Sequence, residues 1–144
     1  MSITHFFGLL VMVLTTAGAA NATCAFIKNH DQKEMCKASK GGTCAFIKDR
    51  DQREYCKAIY KGQSCAFIKN RDLKEKCKAS KGGTCAFIKD RDLKEMCKAS
   101  KGGTCAFIKD RDLREYCKAI YKGQSCAFIK NRDLKEKCRT QRRK

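Results

Sequence analysis

TCAFIKDRDLREYCKAIYKGQSC, residues 104–126, carries the pattern from which the rest of the chain is built. Cys105 and Cys117 stand 12 residues apart, and Cys126 follows nine later. Between and beyond them, Leu113, Tyr116, Cys117 and Ile120 fall at i, i+3, i+4 and i+7, one face of a helix. Asp110 stands where a helix N-cap is needed, with Asp112 in the first turn, where the helix dipole favours an acid. In the next copy Asn131 takes the capping place. Thr104 and Ser125 offer caps to a first, shorter helical arm over C-A-F-I-K, and Gly123 suits the C-terminal stop. Strands are not expected, because no period-2 alternation occurs.

Aligned on its cysteines, the chain repeats this phrase six times, from Cys24, Cys44, Cys65, Cys85, Cys105 and Cys126. Each unit closes on a second cysteine 12 residues on: Cys36, Cys56, Cys77, Cys97, Cys117 and Cys138. The linkers vary, KASKGGT in some places and the longer KAIYKGQS in others. Residues 24–77 and 85–138 differ only at Asn29/Asp90, His30/Arg91, Gln32/Leu93 and Gln52/Leu113. A three-repeat block, 24–84, has therefore been duplicated as 85–144. A period of about 20 residues means stacked units rather than one globular core. The expected fold is all-α: an array of six short helical-hairpin repeats, each stapled by a disulfide, over residues 23–144.

Each unit holds too few large apolar residues to fold alone, so the staples matter. A bridge across so short a loop contributes about 3 kcal/mol by restricting the unfolded chain. Two regular pairings suggest themselves, within units (Cys24–Cys36 and so on) or across linkers (Cys36–Cys44 and so on). The unvarying 12-residue spacing favours the first. Zinc and iron–sulfur sites draw on close C-x-x-C pairs, and no two cysteines here are nearer than eight residues. His30 is the sole histidine beyond His5, so neither metal nor cofactor is expected. The repeated D-x-x-E lacks the alternate ligands and glycine of a calcium loop. Six near-identical copies also lack the asymmetric environments that acid–base catalysis needs. No enzymatic activity is expected.

Residues 1–22 read as a secretory signal peptide. An apolar run, Phe6–Leu14, gives way to small residues, with cleavage after Ala20 or Ala22. The sequon at Asn21 straddles that point and is read as coincidence. Export, secreted or periplasmic, places twelve cysteines in an oxidising compartment.

The remaining signal is charge: 33 basic against 15 acidic residues, a formal excess of +18. Solubility alone would be served equally by acids, so the excess implies an anionic partner. An envelope, acidic lipid or acidic polysaccharide fits, with peripheral membrane contact and an antimicrobial or defence role in view. Nucleic acid fits the charge but not the compartment. The third and sixth repeats are the most basic, which singles out Lys74, Lys76, Lys78, Lys135, Lys137 and Arg139, with the tail Arg142, Arg143 and Lys144. The alternative is a structural or toxin-like scaffold that binds a protein or channel, its charge incidental. Tyr121-Lys122-Gly123, an aromatic–lysine turn repeated at Tyr60, is the feature that raises it.

Overall fold

The computed structural model describes residues 24–142. The expected signal segment with Thr23, and Arg143 and Lys144, lie outside the described residues. Six α-helices carry the fold: α1 (His30–Ser39), α2 (Arg50–Tyr60), α3 (Arg71–Ser80), α4 (Arg91–Ser100), α5 (Arg111–Tyr121) and α6 (Arg132–Arg142). Among the described residues there is no strand. The first arm of each repeat is a single turn. Over Cys65–Phe67 and Cys126–Phe128 it is a 3₁₀ helix, with Ser64 and Ser125 accepting from the N–H of Ala66 and Ala127. Thr43, Thr84 and Thr104 play the same part in their repeats.

Local chemistry explains where the helices begin and end. The side chains of Asn29, Asp49, Asn70, Asp90, Asp110 and Asn131 each accept from the backbone N–H three residues on. Each thereby satisfies one of the donors that a helix start leaves unpaired. In the short linkers a glycine in the left-handed region ends the helix, as at Gly41 with φ 96°. Its N–H donates to Ala38 O, and the Gly42 N–H to Lys37 O at 3.0 Å. A side chain at Gly42 would meet that carbonyl at 2.9 Å, so both glycines are required. The longer linkers extend α2 and α5 to 11 residues and place Tyr60 and Tyr121 at their ends.

All six disulfides join cysteines within a repeat, with Cα atoms 5.8–5.9 Å apart. Each bridge packs against the isoleucine of its own repeat, Ile27, Ile47, Ile68, Ile88, Ile108 or Ile129, and all six isoleucines are at most 1% exposed. The core is therefore a chain of small clusters rather than one body. The cluster of Cys85, Ile88 and Cys97 is completed by Ala79 of the preceding repeat, and the next by Ala99. A short alanine on the outgoing helix lets the following disulfide approach closely.

Repeats are also tied by polar bonds that recur around the fold. The carboxylate of Asp31 accepts from the backbone N–H groups of Lys48 and Asp49 in the next repeat. Asp51, Asp72, Asp92 and Asp112 do the same for their successors. Asp133 of the sixth repeat accepts at 2.8 and 2.9 Å from Lys28 and Asn29 of the first. α6 packs on α1. Lys40 Nζ donates to Thr140 O at 3.3 Å. Thr140 stands where other repeats carry the interface alanine, and it is buried. The array closes on itself as a six-membered ring. Because the triplet is duplicated, identical residues face each other across a pseudo-twofold axis.

Candidate functional site: a basic, phenylalanine-studded rim and a lysine-bearing axis

All fifteen acidic side chains of the sequence are engaged within the molecule. Six aspartates bind the next repeat's backbone, as above. Asp49, Asp90 and Asp110 cap their own helices. Glu34, Glu54, Glu75, Glu95, Glu115 and Glu136 each pair with the Lys or Arg three residues on, at 2.5–2.9 Å. The i, i+3 pair Glu115–Lys118 is among those that sequence spacing anticipates. Asp110 and Arg114 do not pair. Arg114 instead donates to Ile108 O at 2.9 Å, and Asp110 stays with its cap. Two backbone donors per carboxylate favour its charged form, and all six inter-repeat aspartates are held below the ordinary value, Asp31 at about 2. The acids are thus structural, and most of the basic side chains have no acidic partner among the described residues.

The helix period separates two basic surfaces. On α3, Arg71, Glu75 and Lys78 share one face, and with Gly83 and Thr84 they flank Phe87 of the next repeat. Lys76 lies about 200° around the helix from Lys78 at about 100° per residue, so the two point to opposite sides. The Arg71–Lys78 side is the outer rim. Phe26, Phe46, Phe67, Phe87, Phe107 and Phe128 are 59–66% exposed, one per repeat. Ring symmetry puts them at one level, as a crown of six aromatic side chains among lysines and arginines. Hydrophobicity alone would bury these phenylalanines; in the ring, isoleucine fills the space beneath each disulfide and phenylalanine is left outside.

The residue before each second cysteine (Met35, Tyr55, Lys76, Met96, Tyr116 or Lys137) falls on the side of its helix away from the rim, and Tyr116 and Lys137 feel Tyr55 and Lys76 of the other triplet across the centre, which makes this the inner face. Lys76 Nζ lies 5.5 Å from the centre of the Tyr55 ring, and Lys137 Nζ lies 5.6 Å from that of Tyr116. Tyr116 donates to Gln141 Oε1 at 2.5 Å. Burial raises Tyr116 beyond the usual phenol range and also raises Tyr55, Tyr60 and Tyr121, so all four are neutral phenols near neutral pH. Burial lowers both lysines. For Lys137 the charge of Lys76 across the ring adds to this and brings it to about 8.

Of the nine basic residues singled out from the sequence, Arg143 and Lys144 lie outside the described residues and the other seven divide. Lys78 and Arg139 lie on the rim, paired to Glu75 and Glu136. Lys74 and Lys135 fall toward the same outer side, partly exposed. Arg142 donates to the carbonyls of Gln124 and Gly123, bracing the adjoining linker. Lys76 and Lys137 face the axis. Sequence reasoning missed the phenylalanine crown; its signal was the invariable F-I pair, of which only one member can enter so thin a core. Compared with known proteins, the chain matches no family model, no curated protein and no solved structure.

Proposed function

We propose that this chain is an exported, cationic ring that binds anionic lipid surfaces through its rim, each repeat offering one phenylalanine beside basic side chains. Six intramolecular disulfides suit an oxidising, extracellular-type compartment. The reading adds that residues 1–22 direct export there. The observation that carries it is the crown of exposed phenylalanines on a surface whose acids are all taken up internally. One exposed phenylalanine beside basic side chains in every repeat suits a surface that offers both negative charge and an apolar interior. Each basic side chain close to an anionic leaflet contributes about 1 kcal/mol. Each phenylalanine that enters the interface adds about 1–2 kcal/mol. No single unit binds tightly, but a rigid ring lets each contact raise the effective concentration of the next. Exposed aromatic rings favour a bilayer over an acidic polysaccharide, which offers no apolar interior.

Vesicle co-sedimentation tests this. The oxidised protein should bind vesicles containing phosphatidylglycerol at low salt and release as the screening length falls to about 8 Å. Phosphatidylcholine vesicles should bind it weakly. The variant Phe46→Ser, Phe87→Ser, Phe128→Ser should keep its helical content and lose at least tenfold in vesicle affinity. Equal affinity of variant and parent for vesicles would shift the reading to a purely electrostatic partner such as a sulfated polysaccharide. Absence of binding to anionic vesicles at low salt would sink it.

A further inference from the structure

The charge at the centre of the ring is not explained by a rim that meets membranes. In each helix the residue before the second cysteine faces the axis, and four of the six repeats place Met or Tyr there. The third and sixth place Lys76 and Lys137 instead, facing each other across the pseudo-twofold axis. Every acidic side chain is committed elsewhere, so among the described residues neither ammonium has an acidic counter-ion; each lies over a tyrosine ring. The outer lysine or arginine two residues on, Lys78 or Arg139, does have its glutamate. Both axial lysines keep some solvent access.

Two like charges held in partly desolvated surroundings repel each other and lose hydration. Either deprotonation or a bound anion removes that cost. Lysine suits a compact anion met as a point charge, in contrast to the planar fork with which arginine grips a carboxylate. The nearby phenols are neutral, and Tyr116 is committed to Gln141, so recognition falls to the two ammonium groups. We infer that Lys76 and Lys137 together form a binding site for one small oxyanion of the phosphate class on the axis of the ring.

Binding holds both lysines protonated, so affinity falls as pH rises through the Lys137 value of about 8. Lys137 lies over the Tyr116 ring and feels the charge of Lys76, while Lys40, at the end of the neighbouring α1, is committed to Thr140 O. None is a carboxylate that would take over as counter-ion.

Isothermal titration of the intact oxidised protein with inorganic phosphate at pH 7 and low salt should show one saturable site per chain. The double variant Lys76→Met, Lys137→Met uses the residue that the first and fourth repeats carry at the same place, which keeps the packing plausible. It should bind phosphate at least tenfold more weakly with unchanged disulfides and helical content. The charge-matched control Lys74→Met, Lys135→Met, on the outer side, should bind as the parent does. Nuclear magnetic resonance of the lysine side chains provides a readout in the unmodified protein: saturating phosphate should raise the Lys137 pKa. A control that loses binding as the axial variant does, an axial variant that binds normally, or a Lys137 pKa unmoved by phosphate would each overturn the assignment. Vesicle binding by the rim is a separate measurement, and either result can fail alone.

Discussion

Ile88 and Phe87 are neighbours of similar bulk, and substituting each by alanine should have opposite consequences. Ile88 is fully buried among Cys85, Cys97, Leu93 and Ala79 of the preceding repeat. Ile88→Ala removes apolar atoms that this cluster cannot replace, because two of its walls are fixed by a disulfide. The expected loss is about 2–5 kcal/mol, the cost of emptying a tightly packed site. Phe87 is 60% exposed and rests against the outer side of α3. Phe87→Ala should change stability by no more than about 0.5 kcal/mol, as surface substitutions do. Urea denaturation without reductant, followed by helical circular dichroism, separates the two. With a denaturant slope of about 2 kcal/mol per molar, Ile88→Ala lowers the midpoint by roughly 1 M or more, while Phe87→Ala leaves it within about 0.3 M. A Phe87→Ala midpoint as low as that of Ile88→Ala would refute the division of labour between core and rim, and with it the docking surface.

Acid should open the ring before it destroys the repeats. The six inter-repeat aspartates have folded values depressed below 3.8, chiefly by backbone hydrogen bonds, so their contribution is complete above that value and is lost over the interval below it, as pH falls through their lowered values, about 2 for Asp31. Hydrogen exchange at the Lys28 and Asn29 amides, which donate to Asp133, should accelerate across that interval while the disulfides stay intact; flat protection down to pH 2 would contradict the linkage. The excised, oxidised triplet 24–84 should associate as a twofold dimer, since Asp72 of one copy can meet Lys28 and Asn29 of the other as Asp133 does in the intact chain. Light scattering that found a well-ordered monomer at micromolar concentration would rule this out.

The periodic, local features of the fold were legible in the sequence, and the global ones were not. A constant 12-residue spacing pointed to within-repeat disulfides, and Asn or Asp at a fixed place before each helix marked the caps. Closure is different, because it depends on each repeat turning by one-sixth of a circle relative to the last. No single residue encodes that rotation. Asp112 shows the difficulty. Its place in the first turn agreed with the helix dipole, yet its main partners are the Lys130 and Asn131 amides of the next repeat. Lys76 and Lys137 read as surface charge because they sit in a run of lysines. Only the helix period combined with closure turns them inward. The phenylalanines were misjudged for the opposite reason, since hydrophobicity says what a side chain tolerates and not whether the core has room for it.

The bond from Asp133 to Lys28 and Asn29 also bears on how such a chain can change in length. An open stack of repeats grows or shrinks one unit at a time, because each new unit finds the same exposed interface and the array remains sound. A closed one cannot. Losing one repeat leaves a gap that five units must strain to cover, and gaining one leaves a surplus interface with nowhere to dock. Single-unit slippage during gene copying would therefore be selected against, while doubling a three-unit block, itself half of a symmetric circle, would be accepted in one step. The near-identity of residues 24–77 and 85–138 is the kind of record that such a constraint leaves.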